Sequence, residues 1–509
     1  MKTKSLTVIF AYIAGATATL AASFDIPVDA DTSWSYVDGK VYKDYDTVNI
    51  NVFDSVTLTN TNQRLVDAPF AGTTYNFVAY GESATGQLVV SSSLYNGFVL
   101  GQTGTNCSFV FDIGLTITPQ AGVNKFITVQ SGVTATFLKD VNASVMTSEI
   151  SSTGATINFG NGTSSGTFTS AGGASLNSSV MNFKSNYTAN LGASKTLTVK
   201  DTSTVNVSGG TLAVGLVNTI GTSTFDQTSG TTTARLSLAE ASRFTMGGGT
   251  LNVESIVTAG TSTFTQTAGT TNLNTSGTYY STIGNGTKVE IKGGNLTWGG
   301  TNTTYVTING ELELSGGTSR FSAKVASGGV LKLSGGTYLN GGTFQVDGGT
   351  IEYHSGSFVT GIGMASSSSI KLYGDLNIGN YNPINFYTAS VLNIYLNGFN
   401  FSLSDFRYNT GGAVSLNLIV EDGYDWKNDT FHIRNTSSGH EMTENAIYDA
   451  IASITVEGVS IDKSQLNIVS DGGAGYYVNL AAIPEAAEWA AILGALALGL
   501  AIFRRRNKR

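Results

Sequence analysis

Glu311 and Glu313 alternate with leucines in the run Glu-Leu-Glu-Leu, so that as a strand both carboxylates face one side. Glu352 follows two repeats on, and these three form the best acid grouping in the chain. Paired carboxylates on one face are what a glycoside hydrolase uses as acid and base or nucleophile. A polysaccharide lyase adds a basic residue and often calcium. The competing reading is a solvated strand face, and it is preferred, because the other acids of the middle region, Glu240, Glu254, Glu290 and Asp347, are scattered. Further on, the loop acids Glu421, Asp422 and Asp425 have the hard oxygen donors that calcium takes, though a solvated loop needs nothing more. The histidines are His354, His432 and His440 only. The last two are eight apart with Arg434 between, which is no metal spacing. No nucleophile elbow, phosphate loop or His-Glu-x-x-His motif occurs. The expectation is no catalytic residues, no cofactor, no metal and no enzyme.

Composition supports a structural reading. Of 509 residues 62 are Gly and only 5 Pro, and charged residues are 12%, about half the share usual in a soluble domain. With 41% apolar residues the chain is not composed like a disordered one. Abundant Thr, Val, Gly and Asn suit short strands joined by tight corners. Cys107 is the sole cysteine, so intrachain disulfides and Cys-based zinc sites are excluded; a buried, inert thiol is expected. The formal charge of −8 conceals basic ends. Setting aside Lys2, Lys4, Glu488 and the five basic residues of 504–509 leaves 20 basic and 34 acidic residues, near −14. Such a body lacks the basic patch that phosphate neutralisation requires, so no nucleic-acid partner is expected.

The ends carry targeting patterns. Lys2 and Lys4 precede the apolar and small-residue run Leu6 to Leu20, followed by Ala21-Ala22-Ser23, which reads as a secretory signal peptide over residues 1–23. At the other end, Trp489 to Phe503 is uncharged and Arg504-Arg505-Arg506 follows at once. Fifteen residues reach roughly 22 Å as a helix. Ala486 and Ala487 and snorkelling arginines extend this toward the ~30 Å hydrocarbon core. The basic end would stay cytoplasmic, with the body outside.

Pro484-Glu485, the apolar run Trp489 to Phe503 and Arg504-Arg505-Arg506 resemble, in that order, the PEP-CTERM sorting signal of proteins exported by Gram-negative bacteria. The resemblance covers residues 483–509, and Ala486 replaces the second proline of the motif. It implies recognition by an exosortase-type transpeptidase and an association with extracellular polysaccharide and biofilm matrix. Both fates stay open, a chain anchored in the inner membrane or one processed to the cell surface.

Between the ends a phrase recurs: alternating strand residues, Gly-Gly-Thr or Gly-Thr, then another alternating strand. Examples are Gly209-Gly-Thr-Leu-Ala-Val214, Gly248-Gly-Thr-Leu-Asn-Val253 and Leu331-Lys-Leu-Ser-Gly-Gly-Thr337. The residue after the glycine falls at 211, 231, 250, 270, 295, 318, 337 and 350, in steps of 20, 19, 20, 25, 23, 19 and 13. A step near 20 without helical periodicity predicts one coil of a parallel β-helix, with apolar alternation turned inward and Thr stacked on Thr outside. About 13 coils at ~4.8 Å each would make a rod near 60 Å. The body resembles the β-helix repeats of autotransporter passengers.

The expected fold is therefore all-β: a parallel β-helix (β-solenoid) with capping regions, a signal peptide and a single C-terminal transmembrane helix. The expected segments are 1–23 signal peptide, 24–130 N-terminal cap and irregular coils, 131–395 β-helix repeats, 396–480 a β-rich C-terminal cap holding one helix from Thr443 to Ala452, and 483–509 the sorting and anchor segment. Trp298 is a candidate for stacking on sugar or for packing at a coil corner. The expected function is an exported structural or adhesive surface protein with an exosortase, the membrane and extracellular polysaccharide as partners. The alternative is an exported polysaccharide-active enzyme or a glycan-binding β-helix.

Overall fold

A glycine before each recurring Thr lets the chain turn a corner that a side chain would obstruct, and the four-residue apolar alternations between corners are long enough only for short strands. These local preferences produce an all-β fold, 62% strand and 4% helix, built as a β-solenoid of about 13 turns. The computed structural model describes residues 23–28, 32–33, 47–53, 55–60, 71–80, 87–92, 98–119, 125–144, 149–273, 279–298, 305–379, 382–408, 414–421, 430–436, 439–480 and 494–498. The chain divides into two units, residues 1–172 and 173–509.

In the first unit Ser23–Val28, Thr47–Phe53, Thr74–Tyr80, Ser108–Asp112, Thr134–Phe137 and Thr156–Phe159 pair in parallel, each with the next. Parallel coiling thus begins at the first described residue, well before residue 131. Register places Ile50, Phe77, Phe111, Phe137 and Phe159 in one inward column, all buried. The four phenylalanines stack with ring centroids 4.8, 5.2 and 5.7 Å apart. Tyr75 stacks on Phe109 beside them. Identical spacing between coils makes ring-on-ring stacking the natural way to fill a solenoid core, because each ring repeats at the inter-strand distance. Cys107 is buried and unpaired, and burial pushes its thiol up, which suits an inert core residue.

The second unit shows the repeat at its most regular. Thr204–Thr219 turns through three short segments and pairs in parallel along its whole length with Thr224–Leu238, the equivalent segments of the next coil. On the first face Val205, Phe225, Phe244, Phe264, Val289, Leu312, Leu331, Ile351 and Ile370 lie in register and are buried. On the second face Thr211, Thr231, Thr250, Thr270, Asn295, Thr318 and Thr337 form the outward column that the repeat predicts. The glycines before five of these positions, Gly230, Gly249, Gly269, Gly294 and Gly317, have φ between +69° and +80°. A Cβ on Gly230 would meet the carbonyl oxygen of Gly210, so the corner column needs glycine for space as well as for dihedral.

One phrase belongs elsewhere. Thr337 pairs with Ser357, whereas Thr350 pairs with Val330 on the first face. The step of 13 from 337 to 350 therefore joins two different corners of the coil, and the true step on the second face is from 337 to 357.

Parallel coiling continues past residue 395, through Val391–Tyr395 to Ser415–Val420 and Ile451–Val456. It then gives way to antiparallel pairing. Tyr476–Leu480 lies antiparallel to both Phe431–Ile433 and Leu466–Ser470, and Val459–Ile461 folds back on Ile451–Val456. Such a change of direction closes the open edge that a solenoid would otherwise present. The helix Glu444–Ala450 starts at Thr443, whose side chain accepts the Ala446 N–H, and it buries Ile447 and Ala450.

Residues 1–22, Pro484, Glu485 and Arg504 to Arg506 lie outside the described residues. Of the expected membrane segment only 494–498 is described, as a short helix with Leu496 and Leu498 exposed. Among the described residues no helix is long and apolar enough to cross a membrane.

Candidate functional site

The acid grouping singled out by spacing falls on the outward side of the first face. Glu290 registers with Glu313, Glu313 with Lys332, Lys332 with Glu352, and Glu352 with Lys371. One column over, Lys288 registers with Glu311. Successive coils thus place Lys332 between Glu313 and Glu352, and the three acids never form a bare cluster.

Lys288 is the centre of this ladder. Its Nζ lies 2.8 Å from Glu290, 3.1 Å from Glu311 and 2.8 Å from Glu313. Lys292 holds the other oxygen of Glu290 at 2.9 Å, and Lys332 approaches Glu313 at 3.4 Å. Lys371 stands 4.0 Å from Glu352 and over the Tyr395 ring at 5.6 Å. Ser334 Oγ donates to Glu313 at 2.8 Å. Partial burial pushes Glu313 up, but the hydrogen bonds from Lys288 and Ser334 and the charges of Lys288 and Lys332 outweigh it and bring the carboxyl down to about 2. Glu290 is lowered in the same manner, against burial, by Lys288 and Lys292. Burial also opposes the charge on Lys288, yet its three glutamates raise it well above the ordinary lysine range. A general acid needs a carboxyl held up toward neutrality. Glu290 and Glu313 are pulled the opposite way, and they serve as permanent acceptors that bind coil to coil. A further pair of this kind joins Lys324 to Asp347 on the third face at 2.5 Å.

Amide ladders do similar work where charges are absent. Asn182 with Asn206, Asn252 with Asn272, and Asn393 with Asn417 hydrogen-bond between adjacent coils at 2.8–2.9 Å. Within the core, Gln266 is fully buried, donates to the Gly269 and Asn295 carbonyls and accepts from Thr271 Oγ1 at 2.8 Å. It ties the glycine corner to the following coil. Gln227 donates to the Gly230 and Thr250 carbonyls two coils earlier in the same column, with Met246 between the two glutamines. Both were missed from sequence, although a lone Gln at an inward position of an alternating strand is a readable signal of a satisfied core amide.

The histidines are dispersed. His432 Nε2 lies 3.0 Å from Asp471 Oδ2 and its ring stacks on Tyr477 at 4.3 Å. Asp471 also accepts the Gly473 and Gly475 N–H groups, and the His432 contact together with these holds its carboxyl below the usual range. The arrangement pins the antiparallel cap to the last coils. His440 is far along a loop beside Glu441, whose carboxylate accepts the Gly439 N–H. Arg407 grips the fully buried Asp405 through two nitrogens at 2.8 and 3.2 Å. Among the described residues no group of three or more His, Cys, Asp or Glu is placed to hold a metal. Asp422 and Asp425 lie outside the described residues. Trp298 registers with Leu273 in the preceding coil.

A second place differs in character from the ladder. Where the first face turns its corner near the C-terminal end of the stack, an open groove of about 510 Å³ is lined by Tyr373, Asn397, Phe399, Glu421, Glu457 and Gly458. The residues come from successive coils: Lys371 registers with Tyr395, Tyr395 with Ile419 and Val420 with Val456, which brings Tyr373, Asn397, Glu421 and Glu457 to equivalent corner positions. His354 covers one face of the Tyr373 ring at 4.5 Å, and the ring remains 42% exposed.

No protein family, curated protein or solved structure matches this chain.

Proposed function

We propose that this chain is an exported structural or adhesive surface protein, held at the membrane by Trp489 to Phe503 or released by an exosortase-type transpeptidase acting near Pro484-Glu485, and associated with extracellular polysaccharide. The observation that carries the reading is the charge ladder of Lys288, Glu290, Glu311, Glu313 and Lys332, whose ionised groups are occupied with one another across coils. A surface built to hold its own coils together suits a load-carrying solenoid better than a reaction site. The targeting patterns of residues 1–23 and 483–509 supply the location.

Cell fractionation with intact-mass analysis of the mature protein tests the reading. The expected product lacks residues 1–22 or 1–23, is accessible to external protease after outer-membrane permeabilisation, and leaves the membrane fraction when residues 483–509 are deleted. A full-length chain in the cytosol, with its first residues intact, would defeat it.

A further inference from the structure

Six Asn-Gly pairs occur in the chain, at Asn96, Asn161, Asn285, Asn309, Asn340 and Asn397. The backbone nitrogen after an asparagine can attack that asparagine's own carboxamide where both groups are free. A following glycine makes the attack easiest, because no Cβ shields its nitrogen. Folding decides which pairs stay free. Asn96 lies outside the described residues. Asn340 belongs to the strand Val330–Asp347 and pairs with Phe321, which holds its backbone extended. The Gly310 N–H that follows Asn309 donates to the Ile283 carbonyl at 3.0 Å. Asn161 Oδ1 accepts from the Thr163 N–H, the Thr163 hydroxyl and the Ser164 N–H at 2.8–3.0 Å, so its carboxamide is held toward Ser164. Asn397 Nδ2 donates to the Leu372 carbonyl at 3.0 Å, which ties its carboxamide to the preceding coil.

Asn285 differs from all of these. It and Gly286 are the central residues of the turn Gly284–Thr287, closed by the Thr287 N–H on the Gly284 carbonyl at 3.2 Å, and both are exposed. Among the described residues the Asn285 carboxamide has no hydrogen-bond partner and the Gly286 N–H has no acceptor. Position 286 calls for glycine on two grounds. Its φ is +76°, as the third residue of a type II turn requires, and a Cβ there would meet the Gly260 carbonyl oxygen at 2.9 Å. The corner therefore keeps the reactive pair and leaves it unprotected.

We propose that Asn285 is a site of spontaneous deamidation in the folded chain. The Gly286 nitrogen bonds to Asn285 Cγ, the carboxamide nitrogen departs as ammonia with the Gly286 proton, and a cyclic imide forms. Water then opens the imide at one carbonyl or the other, giving aspartate or isoaspartate; nothing is oxidised or reduced. Isoaspartate carries the main chain through the side-chain carbon and lengthens the corner by one methylene. Thr287 is buried, and its hydroxyl bonds the Gly284 carbonyl and the Thr258 hydroxyl of the preceding coil, both at 2.6 Å. A lengthened corner loosens this link just ahead of Lys288, the centre of the charge ladder.

Peptide mapping by mass spectrometry of the purified full-length chain, aged in warm, mildly alkaline buffer, tests the proposal. The amide-to-acid mass change, split between aspartate and isoaspartate peaks, is expected at Asn285 about tenfold faster than at Asn161, Asn309 or Asn397, whose groups react only on local opening. In urea the four rates should converge. Asn285→Gln, where the attack would have to close a larger ring, should stay unconverted and should keep its melting temperature through the same ageing that lowers the parent's. Equal rates at the four sites of the folded chain, a faster rate at any of the other three, or an unconverted Asn285 would each overturn the proposal. Conversion at Asn285 with an unchanged melting temperature would overturn the effect assigned to Thr287.

Discussion

The Lys288 ammonium lies 2.8 Å from Glu313, a residue of the following coil, while also touching Glu290 and Glu311. One cation thereby joins two strands that are neighbours only because the chain has gone once round the solenoid. The carboxyl of Glu313 stands at about 2 in the folded chain against an ordinary 4.5. Because the folded value is depressed, the unfolded state binds the proton more readily. The stabilisation is present above pH 4.5 and is lost as the pH falls toward 2. After allowance for solvent screening it amounts to about 1–2 kcal/mol. Melting temperature measured across this window should fall more steeply for the parent chain than for Glu313→Gln. Parallel curves would show that the pairing contributes nothing.

The buried stack of Phe225, Phe244 and Phe264, with centroids 4.7 and 5.2 Å apart, makes the central ring the most costly to remove. Phe244→Ala should destabilise by about 3–5 kcal/mol, because it empties a site whose neighbours are fixed by strand pairing and cannot collapse inward. Denaturant titration gives the value directly. A loss below 1 kcal/mol would mean that the core is far looser than its stacking distances suggest.

Glu240 takes φ of +58° at a corner where the coils before and after use Gly221 and Gly260, at +77° and +72°. Glu240→Gly should stabilise by about 0.5–1 kcal/mol, since the gain from relieving a left-handed glutamate exceeds the added freedom of the unfolded chain. The converse change, Gly260→Ala, should destabilise, because its Cβ would press on the Glu240 backbone. Opposite signs for this pair, read by thermal melting, are the expected result.

Asp405 is fully buried and its carboxylate is met by Arg407 and by Ser404 Oγ. Arg407→Ala should cost about 3–5 kcal/mol by stranding a buried charge, and Asp405→Asn combined with Arg407→Met should recover part of that loss. A double variant no better than the single one would place the cost in packing of the arginine stem instead.

If Glu311 and Glu313 acted on glycans, Glu311→Gln with Glu313→Gln would abolish product release. The lysine-bound geometry instead predicts no turnover of anionic or neutral polysaccharides by the parent chain, followed by reducing-end assay. Any turnover that disappears in the double variant would restore the catalytic reading.

The coiled architecture was legible because it is written locally. Glycine at fixed intervals, with Leu212 and Val214 or Leu251 and Val253 alternating beside it, leaves few ways to bury an apolar face except by stacking coils. The helix after Thr443 was equally local, since its cap and its first buried residue lie within one turn. Sequence spacing also placed Glu311 and Glu313 on one side of a strand. What it could not supply was their company. Lys288 and Lys332 are 23 and 19 residues from the Glu311 and Glu313 they pair with, and only the register of one coil on the next brings them together. The same holds for Gly348-Gly349-Thr350. A Gly-Gly-Thr phrase dictates a corner but carries no mark of which corner, and strand pairing of Thr350 with Val330 rather than alignment with Thr337 decided its face. The sequence by itself determined that this chain coils, where it turns and which residues point inward, because those are properties of a few adjacent peptide units. The tertiary structure alone decided which charges are cancelled and which corner each glycine pair serves, because inter-coil contacts arise from chain closure over about 20 residues or more and from no local preference.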